Sequence, residues 1–428
     1  MRSLILLSQK YYILIVIGLL FSACTKDRGT ISLTYNKGTA VYGDINEVRS
    51  LPLLASPRNI DNPGKIFIGE DFILIGEENE GIHVFDNTNP SSPVNISFIQ
   101  LPFTKEFFVD NDIIYAESHY DFLKIDLSNI SIPTLIDRVA WAFAGDGLIK
   151  NNEGQVLLGF DFEITTETFK LNSPEARELE DTYYLYYNYM NKLIPPSSVP
   201  SSFVANSTRS KGTLNKITTY NNYVYVIGNE KLYSFENTPS QMMYPEEVYV
   251  SRNLETIYPE NDHLFLGTQN SMVVMSLFTP DMPYKISEYI HPTSCDPVLP
   301  YGNVAYLTLR SGDFSGCSGD ENSLQVIDIS NVNMPHELNT ITMDSPYGMN
   351  IINDYLFVGE GSNGLAIFDA SDPINLILET KKTNIEAYDI MIHPSIPNRI
   401  LTTNQNGMEQ YDIDFNTMNM SFLSRVNY

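Results

Sequence analysis

A strand signal that returns about every 41 residues constrains the fold of this chain more than any other feature. In each unit a turn residue opens a dense apolar run, as in Asp71-Phe72-Ile73-Leu74-Ile75-Gly76. The opening residues are 71, 112, 154, 222, 262, 303, 354 and 398, so the steps between them are 41, 42, 68, 40, 41, 51 and 44 residues. A fixed period of this size is typical of solenoids and propellers. Two insertions account for the two longest steps.

In seven of the eight units a further strand follows the dense run and ends on an acid or a small polar residue. In four units a proline follows that last residue by seven positions, as in Asp86 to Pro93, Asp126 to Pro133, Ser276 to Pro283 and Asp328 to Pro335. An Asp can bond the backbone of the turn that it opens, and a proline cannot donate to a sheet ladder. Four antiparallel strands in about 41 residues is the size of one propeller blade.

We therefore expect an all-β fold, a β-propeller of four-stranded antiparallel blades. Eight opening residues favour eight blades over seven. Seven stays open, because the unit that begins at Gly154 shows no Asp-terminated strand after Gly159 and could be a hairpin inserted in a seven-bladed ring.

The N-terminus has the features of an export signal. Arg2 and Lys10 precede an apolar run, residues 12–21, which is too short to span a bilayer comfortably. Ser22 and Ala23 then precede Cys24, a pattern that looks like the lipobox of bacterial lipoproteins. We predict a signal peptide at 1–23, a lipidated tether at 24–37, and one propeller domain at 38–428 with an insertion at about 172–214. An uncleaved anchor or a soluble secreted protein is the alternative.

The acidity of the chain limits its partners. The formal net charge is −26, which would repel a phosphate backbone, so nucleic acid is not expected as a partner. Cys295 and Cys317 remain once Cys24 is acylated, and an even pair in an oxidising compartment favours a disulfide. Both cysteines fall on one face of one blade, and closing a loop of this length stabilises by roughly 3 kcal/mol. Two unpaired thiols are the alternative.

Motifs for chemistry are scarce. No phosphate-binding glycine loop, zinc-protease helix or nucleophile elbow occurs, and the six histidines are far apart in sequence. We therefore predict no catalytic residue, no metal ligand set and no cofactor. Acid pairs such as Glu77-Glu78 and Asp320-Glu321 leave a Ca²⁺ site as an alternative to solvated loops.

One face of the propeller is the best place for a site. The loops that lead into the first strand of a blade and those that join its second and third strands share a face, and ligand sites favour such loops. Arg310 is a lone cation among acids there, which predicts either a ligand contact or a salt bridge to Asp296 or Asp313. The candidate ligand-binding residues are Glu77, Glu117, His119, Gln269, Asp296, Arg310, Glu360 and Asn404.

The strands that follow the dense apolar runs carry a family resemblance. Residues 324–331, Leu-Gln-Val-Ile-Asp-Ile-Ser-Asn, are similar to the core of the LVIVD-repeat lipoproteins of Bacteroidota-type bacteria, and residues 84–87 and 367–373 repeat the pattern. The resemblance implies a propeller and an envelope location, but no established activity. Thr25 after the lipidated cysteine favours the outer membrane by analogy with lipoprotein sorting.

Two functions follow from these observations. The first is a non-enzymatic, envelope-anchored propeller that binds or scaffolds a protein, peptide or glycan through its polar loop face. The alternative is an enzyme of hydrolase or lyase type whose active site is assembled from distant residues at the propeller axis. The tyrosine-rich insertion is either a partly ordered excursion from one blade or a flap over that face.

Overall fold

The computed structural model describes residues 30–144, 148–170, 215–228, 230–291, 297–310 and 322–428. Contacts divide the chain into two units, residues 1–41 with 159–188, and residues 42–158 with 189–428. Most of a two-stranded sheet, β1 (Thr30–Gly43) paired with β11 (Val156–Lys170), belongs to the first unit. Within the described residues no helix is long and apolar enough to cross a membrane.

The described residues of the second unit form seven sheets of four consecutive antiparallel strands, arranged as the blades of a propeller. The blades are, in chain order: blade 1, β3 (Pro63–Ile68), β4 (Phe72–Glu77), β5 (Gly81–Asp86), β6 (Val94–Gln100); blade 2, β7 (Phe107–Asp110), β8 (Ile113–Ser118), β9 (Asp121–Asp126), β10 (Thr134–Val139); blade 3, β12 (Ile217–Tyr220), β13 (Tyr223–Ile227), β14 (Lys231–Glu236), β15 (Glu246–Tyr249); blade 4, β16 (Leu254–Glu260), β17 (His263–Thr268), β18 (Ser271–Ser276), β19 (Tyr284–Ile290); blade 5, β20 (Val298–Tyr301), β21 (Val304–Leu309), β22 (Ser323–Asp328), β23 (His336–Thr342); blade 6, β24 (Met349–Ile352), β25 (Tyr355–Gly359), β26 (Leu365–Asp369), β27 (Ile377–Lys382); blade 7, β28 (Asp389–Ile392), β29 (Arg399–Asn404), β30 (Gly407–Asp414), β31 (Asn419–Asn427).

Two short elements precede the first blade. Helix α1 (Ile45–Arg49) begins after Asp44, whose carboxylate accepts the backbone N–H of Asn46. Strand β2 (Leu54–Ala55) pairs with β6 and adds a fifth strand to the outer edge of blade 1.

The propeller prediction is confirmed, but the preference for eight blades is wrong. The unit that begins at Gly154 leads into β11, which is 15 residues long and pairs with β1 instead of opening a blade. The sequence of this unit already differs from the other units at the position of the next strand. No Asp-terminated strand follows Gly159 in the sequence, and within the described residues β11 pairs with β1 alone.

The dense apolar runs are the second strands of the blades, and they are the most buried part of the fold. Ile73, Leu74 and Ile75 of β4 are fully buried, because both faces of this strand are covered by neighbouring blades. The apolar clusters lie between blades; one of them joins β3 and β4 of blade 1 to Met391, Leu401 and other residues of blade 7.

Polar side chains add to the closure of the ring between blades 1 and 7. Asn87 and Gln410, both buried, exchange two amide hydrogen bonds of 3.0 and 2.9 Å. Gln410 also donates to the carbonyl of Pro90 at 3.2 Å, and Ser424 Oγ donates to the same oxygen at 2.6 Å. The ring thus closes by packing and side-chain bonds, since each of its seven sheets consists of strands from one continuous stretch of chain.

The turns after the third strands have the predicted chemistry. A carboxylate oxygen of the last strand residue accepts the backbone N–H two residues later, at 2.9 Å from Asp86 to Thr88 and 2.7 Å from Asp126 to Ser128. Asp328 and Asp369 make the same bond at 2.7 and 2.8 Å. We call these turns the Asp turns. They lie on the face opposite the loops that join the second and third strands.

Candidate functional site

The predicted ligand-binding residues lie on one face of the propeller, which we call the loop face. It consists of the loops that lead into the first strand of each blade and those that join the second and third strands. Glu77, Glu117, Glu360 and Asn404 all stand in or just after the second strand of their blades.

Two of these carboxylates hold the incoming loop of their own blade. Glu77 accepts the backbone N–H groups of Asp61 at 3.1 Å and Asn62 at 2.5 Å, and it lies 2.9 Å from His83 Nε2. Burial alone would raise the pKa of Glu77, but these hydrogen bonds outweigh it and lower the pKa below its usual value. Glu360 accepts the N–H of Asp344 at 2.7 Å in the corresponding loop of blade 6.

Glu117 makes similar hydrogen bonds to its incoming loop, but its pKa is shifted in the opposite direction from that of Glu77. Its Oε1 accepts the N–H of Lys105 at 2.9 Å and of Glu106 at 3.2 Å, whereas the buried Oε2 has no hydrogen-bond partner among the described residues. Burial raises the pKa of Glu117 to about 8, with Glu106 adding to the effect and Lys105 opposing it. Glu117 is therefore a neutral carboxylic acid at pH 7.

His119 is a buried, neutral imidazole. Its Nε2 lies 2.9 Å from the carbonyl oxygen of Leu157, and its ring contacts Phe103 edge to face, with a centroid distance of 4.8 Å. Burial lowers the pKa of His119 to about 4. In the described residues His119 contacts the backbone of Leu157 and the ring of Phe103.

The remaining predicted residues have separate environments. Gln269 accepts a bond of 3.0 Å from the Asn253 side chain, and Asn404 accepts the N–H of Asn406 at 2.9 Å. The structure thus places Glu77, Glu117, His119, Gln269, Glu360 and Asn404 in six local contacts rather than in one pocket. Asp296, Asp313, Cys295, Cys317, Cys24, the acid pair 320–321 and the insertion at 172–214 lie outside the described residues.

Arg310 belongs to a row of planar groups that we call the tyrosine ladder. Its guanidinium carbon lies 4.3 Å from the ring centroid of Tyr347, and Tyr347 contacts Tyr388 edge to face at 4.8 Å. The Tyr388 hydroxyl accepts a bond of 2.8 Å from Gln405. Arg310, Tyr347 and Tyr388 are half-buried and come from blades 5, 6 and 7. The ladder therefore offers a cation and two aromatic rings at the loop face.

Backbone contacts hold the ladder in place. Thr308 Oγ1 donates to the carbonyl of Tyr347 at 2.8 Å, and the Tyr347 N–H donates to Gly359 at 2.8 Å. Gly361 has a φ of +56°, and a Cβ there would stand 2.9 Å from both tyrosine rings. A side chain at this position would displace the rings, so the glycine is required by the ladder.

A second group of functional candidates lies at the axis, where the first strands begin. The group, called the axial cluster here, consists of buried ionisable residues from five consecutive blades around the ring. They are Asp389, Lys65, Glu106, Lys216 and Glu255.

The signs of these charges alternate around the axis, from blade 7 through blades 1, 2 and 3 to blade 4. Lys65 Nζ donates to Asn215 Oδ1 at 2.5 Å and lies 3.9 Å from Glu106 Oε2. Burial lowers the pKa of Lys65, while Glu106 and Asp389 oppose this shift. A Cβ on Gly348 would stand 2.0 Å from Asp389 Oδ1, so the absence of a side chain on blade 6 makes room for that carboxylate.

The sequence contains a signal for the axial cluster, whose residues are not among the predicted ligand-binding residues of the loop face. Lys65, Glu106 and Lys216 each stand six residues before the opening residue of their unit, and Glu255 stands seven before. When a charged residue recurs at a fixed repeat position beside a buried strand, the equivalent side chains of successive blades are expected to meet at the axis of the ring. The tyrosine ladder has no such period, because Tyr347 stands seven residues before the opening residue of its unit and Tyr388 stands ten before.

A metal site is not formed by the residues that the structure describes: no three His, Cys, Asp or Glu side chains among them could hold an ion. In the axial cluster each carboxylate alternates with an ammonium group, which disfavours a cation there.

Comparison with known proteins agrees with this architecture. The family model of the LVIVD repeat matches residues 311–342 and 348–382. The second stretch covers all four strands of blade 6, and the first ends with the last strand of blade 5. The chain therefore contains LVIVD repeats. No curated protein shows detectable similarity to it.

Solved structures show a similar fold at low sequence identity. A functionally unknown protein from Desulfotomaculum acetoxidans is 9% identical with a TM-score of 0.51, over 82% of this chain and 95% of that chain. BamB from Moraxella catarrhalis is 10% identical with a TM-score of 0.45, over 88% of this chain and 96% of that chain. At these identities only the shared fold of the first match is informative.

Proposed function

We propose that this protein is a non-enzymatic, envelope-anchored propeller that binds a protein, peptide or glycan partner at its loop face. The observation that carries the proposal is the tyrosine ladder of Arg310, Tyr347 and Tyr388. Half-buried tyrosine and arginine side chains held by a rigid scaffold are the groups that contribute most to binding energy at interfaces.

The axial cluster supports binding rather than catalysis. Its charges are buried, and Lys65 is engaged by Asn215 and Glu106 within the cluster. A general acid or nucleophile must reach the substrate, whereas Glu117, a described carboxyl group whose pKa burial raises, is 1% exposed and bonded to its own loop.

A crosslinking experiment tests the ladder. We expect p-benzoylphenylalanine at position 388 to form a covalent adduct in intact cells, and the Tyr347→Ala substitution to reduce its yield about tenfold, because the neighbouring ring and the arginine contact are lost. The measurement is adduct yield on gels, with mass spectrometry to identify the class of partner.

The matched control is Tyr301→Ala. Tyr301 is an exposed tyrosine whose hydroxyl donates to Asp354 at 3.0 Å, in a turn between first and second strands on the opposite face. Its loss should leave the adduct unchanged. Equal yields in both variants, or no adduct at position 388, would contradict binding at the ladder.

The anchor is a separate part of the proposal and rests on Arg2, Lys10, the apolar run and Cys24. We expect Cys24→Ser to move the protein from the outer-membrane fraction to the soluble fraction, or to leave it unprocessed, because the thiol that carries the lipid is gone. Metabolic labelling with a fatty acid checks this result. Label incorporated equally by the wild type and the variant would exclude lipidation at Cys24.

A further inference from the structure

The face opposite the loop face carries a repeated array of exposed apolar side chains. Phe278 is 85% exposed and Met334 is 71% exposed. The array lies in the turns between third and fourth strands of five consecutive blades, 2 to 6. Its members are Ile132, Met243, Tyr244, Phe278, Met282, Met334 and Ile374. We call them the rim arc.

Three members of the rim arc occupy one repeat position. Ile132, Met282 and Met334 each stand six residues after the end of the third strand and directly before a proline. Their side chains are exposed in all three blades. The equivalent residue of blade 1 is Ser92, before Pro93. The fold therefore does not require an apolar residue here, and its recurrence in three blades calls for a contact outside the blade.

The arc stops where the ring closes. The corresponding turns of blades 1 and 7 lie wholly within the described residues and expose no large apolar side chain. In blade 1 the turn is engaged by blade 7, through Asn87 with Gln410 and through Pro90 with Ser424. The turns of blades 4 and 6 are held by the preceding blade in a similar way, through bonds from Tyr225 to Pro280 and from Tyr306 to Pro373, yet they keep exposed apolar side chains. The exposed apolar residues of these turns are confined to blades 2 to 6.

Acidic groups accompany the apolar ones along the same arc. They are Asp126, Asp281, Asp328, Asp369 and Asp372. The N–H groups of the Asp turns stabilise the carboxylates of Asp126, Asp328 and Asp369 as anions and lower the pKa of each.

The few basic groups near these turns are already engaged. Lys124 of β9 donates to Asn237 Oδ1 at 2.8 Å and to the carbonyl of Thr238 at 2.6 Å, in the turn of blade 3. Among the described residues of these turns and of the first two positions after them, Lys285 Nζ lies 2.7 Å from Glu288 and His336 Nε2 lies 4.0 Å from Asp328. The arc is therefore apolar and negatively charged.

We propose that the rim arc is a docking surface for a basic polypeptide segment with apolar side chains. Charge complementarity selects this occupant: the array of carboxylates would repel a second copy of this acidic chain, and it would repel anionic lipid headgroups. The apolar side chains supply the contact area, and the carboxylates select the basic partner. This surface is separate from the loop face and does not depend on the function proposed for it.

The test uses the triple variant Ile132→Ser, Met282→Ser, Met334→Ser in the whole chain. Serine is the residue that blade 1 already carries at this position, so the variant keeps the Asp turns and their prolines. The probe is a fluorescein-labelled 18-residue helical peptide of Lys and Leu, with a Lys and Ser peptide of equal charge as its partner probe. Fluorescence anisotropy at physiological salt measures both.

We expect the Lys and Leu peptide to bind at least tenfold more tightly than the Lys and Ser peptide, and the triple variant to remove that difference. The Tyr347→Ala protein should bind as the wild type does, which separates this surface from the ladder. Equal binding of the two peptides, or an unchanged difference in the triple variant, would overturn the proposal. Two further results would also overturn the proposal: the wild type co-sediments with zwitterionic vesicles, or it dimerises, and in either case the triple variant loses that property but still binds the peptide.

Discussion

Replacement of Asp121 by alanine is expected to lower the free energy of unfolding by about 3–5 kcal/mol. Asp121 is 1% exposed, and its carboxylate accepts two bonds from Arg49 at 2.8 and 2.7 Å, one from Arg138 at 2.9 Å and one from the Trp141 N–H at 2.9 Å. The substitution leaves two partly buried guanidinium groups without their counter-ion. It also releases α1 from blade 2, since Arg49 is the last residue of that helix.

The measurement is urea unfolding followed by circular dichroism, with Asp412→Ala as the matched control. Asp412 makes the same bidentate bond, to Arg399 at 2.9 and 3.2 Å, but it is 32% exposed, so its loss should cost less than about 1 kcal/mol. A similar decrease in the free energy of unfolding in the two variants would show that the burial of Asp121 contributes little to stability.

The effect of Asp121→Ala should also shrink in acid. Burial alone would raise the pKa of Asp121, but the bonds from Arg49, Trp141 and Arg138 outweigh it and lower the pKa. A lowered pKa contributes stability above the usual pKa of the group, and that contribution disappears as the pH falls through the folded-state value. The difference between wild type and variant should therefore begin to shrink as the pH falls below about 4, the usual pKa of an Asp, and should continue to shrink down to the lowered folded-state pKa.

The blade pattern could be predicted from sequence because it depends on local features. The second strand of a blade is covered on both faces, so Ile73 to Ile75 had to be apolar without alternation. The Asp turns depend on a carboxylate and an N–H two residues apart, which is again local chemistry. Such features recur with the period of the blade and need no knowledge of distant residues.

The number of blades depended on a partner far away in sequence. The apolar run Val156 to Gly159 has the composition of a second blade strand, and only its pairing with β1, more than 100 residues earlier, shows that it is not one. Pairing between distant strands leaves no local signature when both strands are rich in β-branched and aromatic residues.

The site was harder to predict than the fold for a similar reason. Position on the loop face followed from topology, but whether a carboxylate faces a ligand or its own backbone depends on loop conformation. Glu77, Glu117 and Glu360 turn inward to the N–H groups of the incoming loops, because an unpaired buried N–H is costly. Whether any of the predicted residues contacts a ligand stays a prediction.

The second large effect is expected from Glu117→Gln, which should stabilise the propeller at pH 8 and leave it nearly unchanged at pH 5. The glutamine retains the acceptor oxygen for the Lys105 and Glu106 N–H groups and resembles the protonated acid in shape. It cannot ionise, so it removes the penalty that the wild type meets when a buried acid has to lose its proton.

The direction of this pH dependence follows from the number of protons that the folded and unfolded states bind. Burial raises the pKa of Glu117 from about 4.5 to about 8 in the folded chain. Between these values the folded state holds a proton that the unfolded state has lost, so stability falls with rising pH by up to about 1.4 kcal/mol per pH unit. This contribution is complete below the unfolded pKa and is lost above about pH 8.

The measurement is the difference in free energy of unfolding between variant and wild type from pH 5 to pH 9, since the difference cancels the other titrating groups. Glu77→Gln is the matched control with the opposite sign: hydrogen bonds lower the pKa of Glu77, so its amide should destabilise the fold throughout this range. A Glu117→Gln difference that does not change with pH would show that Glu117 is ionised in the folded protein. The unpartnered Oε2 would then need a cation or a donor beyond the residues described, and the assignment of Glu117 as a neutral group at the loop face would fail.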